Sequence, residues 1–303
     1  MTPRRALLCA VGVGLAGRAT AQGSAATDLM PDFWRAYDAA GNGSFEERGR
    51  AIIAGYFAPQ ATAYRDAGVG RVDLARWLQV FDPMAPAARR LSEGFPQIWA
   101  THAARFAAAL PDFDAATPVT IFVSFLQFDA RVRLVGDRVS LFVGLDGVLR
   151  FGADLSVLLA HECFHLYHHQ VNPTLVLPGG DPLWLGVWKE GMAVHACAVL
   201  DPAASPRAVL LGEAALAGAD AALVRRAAAA MLPLLDETSG AARDRFLGYG
   251  GGGDLPSRSG YLLGLLIVRR AAAGRDLAAL ARVPAEEARA IVHRTIATLA
   301  DGG

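Results

Sequence analysis

The sequence has little lysine, little cysteine, no net charge and no long apolar run. Lys189 is the only lysine, so 28 of the 29 basic residues are arginine, which together with the many alanines indicates a compositional bias. The basic residues are balanced by 29 acidic ones, so no electrostatic feature favours nucleic acid or an anionic membrane as a partner. With 53% hydrophobic residues among 303, the chain is not disordered and can bury a sizeable core.

The N-terminus has the three parts of a secretory signal peptide: two early arginines, an apolar run over residues 6–17 and an Ala-Thr-Ala cleavage pattern. We therefore expect residues 1–21 to be removed by cleavage after Ala21, and the protein to be exported to the periplasm or outside the cell. The apolar run is too short to span a bilayer, so no transmembrane segment is expected after removal of the leader. A buried N-terminal helix is the alternative.

Hydrophobic patterns divide the rest of the chain, expected to be a single domain over residues 22–303, into three parts. The patterns predict helices over residues 22–115, a small sheet with two helices over 116–200, and further helices over 201–303. A glycine-rich stretch in the third part lacks the Lys-Ser/Thr of a phosphate loop and is interpreted as a surface loop. The predicted fold class is α+β, predominantly α-helical.

The central part has the clearest element signals. Gly136-Asp137 is a two-residue hairpin turn between β-branched runs, and Asp154 is a favourable N-cap for a helix. The predicted elements of this part are strands at 118–125, 131–135 and 138–145, and helices at 154–170 and 183–200.

The first of these two helices contains a His-Glu-x-x-His motif at residues 161–165. Residues four apart lie about 40° apart around a helix, so His161 and His165 can reach one ion from the same face. Glu162 is turned by about 100°, beside the ion, where it can accept a proton from a water molecule. Chance would produce such a motif about 0.005 times per chain of this composition. Two unrelated surface histidines are therefore the weaker interpretation.

A catalytic zinc site needs a third protein ligand, and Glu190, 25 residues after His165 on the second helix, is the candidate. The motif followed by Trp-x-Glu-Gly-x-Ala resembles the gluzincin metallopeptidases. It is similar to their aminopeptidase-N-like branch and to bacterial predicted zinc-dependent proteases grouped as a domain of unknown function. The resemblance covers about residues 138–200. It implies a zincin-like core, in which a small sheet packs on the motif helix between N- and C-terminal helices, with His161, His165 and Glu190 as ligands of one catalytic zinc and Glu162 as general base and acid.

The resemblance also implies an edge strand that pairs with an extended peptide substrate. Residues 139–144 occupy that position, so the strand is expected to bind substrate around Ser140, Phe142 and Gly144. A structural strand that is paired on both sides is the alternative.

An oxyanion donor is expected from the C-terminal helices, as in related gluzincins. Arg258 and Tyr261 are the candidates, with Tyr249 a weaker one; the alternative is a core Tyr261 and a solvated Arg258. In one place the sequence departs from the thermolysin-like pattern, because Val194 stands where an aspartate orients a zinc histidine. The orienting acceptor is therefore expected from elsewhere, such as a backbone carbonyl.

Helical geometry places the remaining histidines. His168 and His169 share the general face of the motif and are expected in the cleft wall or in solvent. A metal pair of His165 and His169 is the alternative, but it leaves Glu162 without a role. His195 should point away from the metal and be structural.

The same geometry bears on the cysteines outside the leader. Cys163 faces away from the metal and Cys197 lies on the metal-facing side of the second helix, so a disulfide between them is disfavoured. Two buried free thiols are expected.

These features together predict an exported zinc metallopeptidase that hydrolyses peptide bonds in a peptide or protein substrate. The sequence has no recognisable acidic pair that would bind a substrate amino terminus, which favours an endopeptidase or a narrow specificity. One alternative is a non-catalytic protein that binds peptides or is structural and uses zinc for stability. The other is a zinc hydrolase that acts on a non-peptide amide, because the motif fixes the water chemistry and not the substrate.

Overall fold

The computed structural model describes residues 26–177, 180–249 and 253–303. The predicted leader over residues 1–21, with its cleavage after Ala21, lies outside the described residues. Part of the glycine-rich stretch lies outside them as well. Within the described residues, no helix combines the length and apolar character needed to cross a membrane.

A four-stranded sheet forms the β part of the fold, in the order β1-β2-β4-β3. β2 is parallel to both β1 and β4, whereas β3 and β4 form the predicted antiparallel hairpin, with Gly136 of the turn at φ +61°. The strands are β1 (Thr27–Asp28), β2 (Val119–Phe122), β3 (Ala130–Val135) and β4 (Arg138–Gly144).

β4 is therefore an inner strand, and the prediction that it forms the edge is wrong. It pairs with β2 on one side and β3 on the other, and its residues from Ser140 onward are buried. β3 pairs only with β4 among the described residues, so β3 is the edge strand on this side of the sheet, and β1 is at the opposite edge. The free edge of β3, not that of β4, offers backbone groups to a partner.

Helices surround the sheet and make up most of the chain, which confirms an α+β fold that is predominantly α-helical. The N-terminal helices are α1 (Met30–Ala39), α2 (Phe45–Ile52), α3 (Ala61–Asp66), α4 (Leu74–Phe81) and α5 (Ala85–Ala109), with a π-helical turn at Ile53–Phe57. The central helices are α6 (Leu145–Phe151), α7 (Leu155–Val171) and α8 (Leu183–Leu200). The C-terminal helices are α9 (Pro206–Val209), α10 (Ala214–Ala217), α11 (Ala221–Met231), α12 (Gly240–Leu247), α13 (Ser259–Ala271), α14 (Leu277–Ala281) and α15 (Ala285–Asp301).

A buried carboxylate, that of Asp146, fixes the loop that leads into the edge strand. It accepts hydrogen bonds from the backbone N–H of Ser124 at 2.6 Å and of Leu126 at 2.7 Å. The same loop holds Phe125 and Leu126 at φ +55° and +61°, where non-glycine residues are strained by about 1 kcal/mol or more. Asp146 thus stabilises a strained turn that sets the path of the chain toward β3.

His102 on α5 is expected to make the stability of the protein depend on pH. It is buried, and its Nε2 atom has no hydrogen-bond partner among the described residues. Burial lowers the pKa of His102 to about 4 from an ordinary value of 6.5. The unfolded chain therefore binds a proton between pH 6.5 and 4 that the folded chain does not. We expect up to about 3 kcal/mol of stability to be lost as the pH falls through that interval.

Urea unfolding between pH 7 and pH 4 tests the role of this side chain. His102→Gln should be less stable than the wild type at pH 7 but should have a flatter pH dependence. Equal slopes for the two proteins would show that His102 does not carry the effect.

Candidate metal centre

α7 and α8 pack side by side and bring the three predicted ligands together. Asp154 caps α7 through hydrogen bonds from the backbone N–H of Ser156 and Val157, as predicted, and so fixes where the helix begins. α7 packs against β3, β4 and α8, which places the motif between the edge strand and Glu190. The second helix begins and ends at the predicted residues, Leu183 and Leu200.

Three donor atoms converge at one point between these helices. The Nε2 atoms of His161 and His165 are 3.0 Å apart, and Oε2 of Glu190 lies 3.1 Å from the first and 3.4 Å from the second. A tetrahedral zinc ion with bonds of about 2.0–2.1 Å keeps its ligand atoms about 3.3–3.4 Å apart. Two imidazoles and one carboxylate at these separations therefore fit a single ion, and these three residues could hold a metal.

Close contact between α8 and α13 fixes Glu190 against Tyr261. A Cβ on Gly191 would lie 2.4 Å from the backbone of Gly264, and one on Gly264 would lie 2.5 Å from the carbonyl oxygen of Val187. The two helices can only approach this closely because both positions are glycine. The contact lies one residue from Glu190 and three residues from Tyr261, so it sets the distance between the metal ligand and the phenol.

Gly264→Ala is expected to separate these helices, because the added methyl group meets backbone atoms that cannot rotate away. We expect a loss of about 3 kcal/mol in the free energy of unfolding and weaker metal binding. Gly94→Ala is the matched control, since Gly94 lies within α5 and an added Cβ would meet nothing within 4 Å. The control should be neutral or stabilising by up to about 1 kcal/mol. Equal effects of the two changes, measured by chemical denaturation, would contradict this role for the glycine contact.

The surroundings of the two glutamates in the site shift their pKa values in opposite directions. Burial by itself would raise the pKa of Glu190, but the neighbouring imidazoles of His165 and His161 hold it well below its ordinary value. Glu190 is therefore an anion suited to bind a cation. Burial raises the pKa of Glu162 to about 7 from 4.5. Glu162 is thus poised between the protonated and ionised forms near neutral pH, as a general base and acid requires.

The metal centre lies in a cavity of about 360 Å³. The edge strand forms one wall, with residues from Ala130 to Leu134 lining it, and α7, α8 and α13 contribute the others. The expected substrate-binding residues on β4 do not line this cavity. Ser140 and Phe142 are buried, and Gly144 packs against the side chain of Ser124. The backbone of β4 is already paired with β2 and β3, so it has no free edge that could bind a further strand.

Both oxyanion candidates line the cavity together with the metal ligands. The ring of Tyr261 stacks on that of His161, with centroids 6.0 Å apart and 14° between the planes. Burial and the Glu190 carboxylate raise the pKa of Tyr261 well above its ordinary value, so its hydroxyl stays a donor. Arg258 is buried and not solvated. Tyr249, the weaker candidate, is exposed and lies outside the residues that line this cavity, although Arg258 lies over its ring.

The expected acceptor for the imidazole N–H of His161 does not occur in the described part of the chain. Nδ1 of His161 is buried without a hydrogen-bond partner there. Val194, at the position of the family aspartate, is instead part of an apolar cluster with Tyr261. The stacked phenol of Tyr261 therefore orients the His161 ring by packing.

The remaining histidines lie largely as helical geometry predicts. His168 and His169 both line the cavity, as cleft-wall residues. His168 is buried, which lowers its pKa to about 3 and keeps it neutral, and neither of its ring nitrogens has a partner among the described residues. His195 does not line the cavity. Cys163 and Cys197 are buried free thiols, as expected.

Sequence reasoning missed several cavity residues. Lys189 binds Asp181 at 2.8 Å, and Arg243 lies 3.9 Å from the same carboxylate. Lys189 is the only lysine of the sequence and precedes Glu190 directly. Its position in the sequence does not indicate that its side chain binds Asp181. Arg131 on β3 also lines the cavity, and its alternation with apolar residues is typical of an edge strand.

A comparison with models of protein families, with curated proteins and with solved structures finds no match to this chain.

Proposed function

We propose that this protein is a zinc-dependent metallopeptidase of the gluzincin type, with a zincin-like core. The observation that carries the proposal is the convergence of His161, His165 and Glu190 with the Glu162 carboxylate beside them in an open cavity. Two imidazoles and one carboxylate are a donor set that zinc uses in catalytic sites, where a fourth position remains open. The leader pattern at residues 1–21 supports export as part of the proposal.

The chain's own residues supply the steps around that ion. Zinc, when bound, would act as a Lewis acid on the scissile carbonyl and on water. Glu162 accepts the proton that water gives up as it attacks the carbonyl carbon, and later donates it to the leaving amine. The hydroxyl of Tyr261 donates a hydrogen bond to the oxyanion that develops on the carbonyl oxygen. Arg258 is the second candidate for this donor, but its surroundings favour a role in binding the substrate.

The edge of β3 is suited to hold the substrate in an extended form. Its outer edge has no strand partner among the described residues, and its residues from Ala130 to Leu134 line the cavity that contains the metal centre. A peptide that adds to this edge as a further strand is bound through its backbone, with little dependence on its side chains. The proposal is therefore peptide-bond hydrolysis in an extended peptide or protein substrate.

A peptide-library assay on the protein without residues 1–21 tests this function. We expect cleavage within peptides, loss of cleavage after treatment with a chelator, and recovery when zinc is returned. Zinc binding with no cleavage of any peptide would contradict the proposal. That result would favour a non-catalytic zinc protein or a hydrolase of non-peptide amides, which a library of acyl amides would then separate.

A further inference from the structure

Arg258 is a buried cation that has no anionic partner among the described residues. It is 9% exposed, and its Nε atom is buried with no hydrogen-bond partner among the described residues. No carboxylate of the described chain lies within 4.0 Å of its guanidinium. Burying a charge in this way is unfavourable unless something pairs with it. Arg258 lines the cavity of the metal centre, so a bound ligand can provide that partner.

The guanidinium of Arg258 lies near two aromatic rings. Its central carbon lies 3.9 Å from the ring centroid of Tyr249 and 5.2 Å from that of Tyr261. Cation–π contacts with these rings stabilise the guanidinium but provide no anion. The N–H groups of a guanidinium are arranged in a fork that matches the two oxygens of a carboxylate.

The backbone at Arg258 is held in place at a cost. Its φ is +57°, a conformation that favours glycine, and its N–H donates to the carbonyl of Gly248. Its own carbonyl accepts from the N–H of Tyr261, so the arginine and the phenol are fixed relative to each other. These two hydrogen bonds hold Arg258 in a conformation that is unfavourable for a non-glycine residue.

The other arginines that line the same cavity either contact groups of the protein or are exposed to solvent. Arg131 donates to two backbone carbonyls and lies over an aromatic ring, while Arg133 is exposed. Arg243 lies 3.9 Å from the carboxylate of Asp181. Among the arginines lining this cavity, Arg258 is the one that is buried, and its guanidinium has no ion pair in the described part of the chain.

We propose that Arg258 binds a carboxylate group of the substrate, so that the protein prefers acidic peptides or peptides with a free C-terminus nearby. The proposal rests on the proposed peptidase function and adds a substrate class to it. In this role Arg258 is a specificity residue, and Tyr261 is left as the oxyanion donor. Acidic side chains and a free C-terminus both present a carboxylate, and the experiment below distinguishes these two sources.

Affinity selection tests this inference without requiring turnover. Two libraries of random peptides, one with free C-terminal carboxylates and one with C-terminal amides, are passed over immobilised, zinc-loaded Glu162→Gln protein. We expect peptides with a carboxylate to be enriched about 10-fold to 100-fold, the range for a charge-assisted hydrogen bond. Enrichment of Asp and Glu within the amidated library indicates a side-chain carboxylate. Enrichment confined to the free-acid library indicates the C-terminus.

Variants assign the preference to Arg258. Arg258→Gly in the same background should abolish the enrichment, and it should fold because glycine tolerates this φ; a melting curve checks the fold. Arg243→Gln removes a cation that already faces Asp181, and it should keep the enrichment. Absence of any carboxylate preference, or an equal preference after Arg258→Gly, would overturn the inference. If the wild type cleaves no peptide but shows the Arg258-dependent preference, the peptidase proposal fails and this one stands.

Discussion

Glu162→Gln is expected to lower kcat/KM for peptide hydrolysis by about 10²-fold to 10⁴-fold while one metal ion per chain stays bound. The amide keeps the size of the carboxylate but cannot accept a proton from water. Metal binding should persist because Glu162 is not among the three convergent donor atoms. Initial rates on a cleaved peptide, together with elemental analysis of the same sample, measure both effects.

The matched control for this experiment is Asp129→Asn. Asp129 is another carboxylate that lines the same cavity, but it is not part of the cluster of metal donors. It should change kcat/KM by less than about 10-fold, since no proton transfer depends on it. Activity within a few-fold of the wild type in Glu162→Gln would contradict the mechanism, as would loss of the metal from that variant.

Glu190→Ala is the second change with a large expected effect, on metal affinity. It removes one of three protein ligands and the only anion among them, so we expect the dissociation constant for zinc to rise by at least about 10³-fold. The two imidazoles remain 3.0 Å apart on α7 but lose the charge that favours a dication. Competition with a chromophoric chelator gives the affinity.

Glu213→Ala is a suitable control for Glu190→Ala, because Glu213 is a glutamate outside both the metal cluster and the metal cavity. It should leave the zinc affinity unchanged. Zinc affinity that is unaffected by Glu190→Ala would show that the ion is held elsewhere. A pair formed by His165 and His169 would then need to be tested by substitution of His169.

Local signals predicted the elements that position the site. The N-cap at Asp154, the hairpin turn at Gly136 and the bounds of α8 all follow from short-range preferences, and all agree with the structure. The spacing of His161 and His165 is also local, since one helical turn sets their separation. These predictions succeed because each depends on residues within a few positions of one another.

Strand order, in contrast, depends on contacts between distant parts of the chain. β4 was expected at the edge because it precedes the motif helix, yet it pairs on both sides. Leu141, Phe142 and Val143 of β4 form a buried apolar run that is typical of an inner strand, and the arginines of β3 are typical of an edge. The composition of the two strands therefore predicts correctly that β4 is an inner strand and β3 an edge strand. The position of β4 before the motif helix, as in the family pattern, predicted the wrong order.

The cavity walls away from the motif were the least predictable part of the site. Arg258 and Tyr261 come close to Glu190 through glycine packing between α8 and α13, about 70 residues apart in sequence. Hydrophobic periodicity predicts helices and strands but not a contact between two distant helices. That His161 has no hydrogen-bond acceptor for its Nδ1 in the described part of the chain could not be predicted either, because the phenol that packs on its ring lies on a distant helix.

X-ray absorption at the zinc edge of the purified protein tests the central claim most directly. We expect one zinc ion per chain in a four-coordinate site, with scattering from two imidazoles, bonds of about 2.0–2.1 Å, no sulfur ligand and one exchangeable water. Such a site has the open position that hydrolysis needs. Protein without stoichiometric zinc, or zinc enclosed by four protein ligands, would contradict the account.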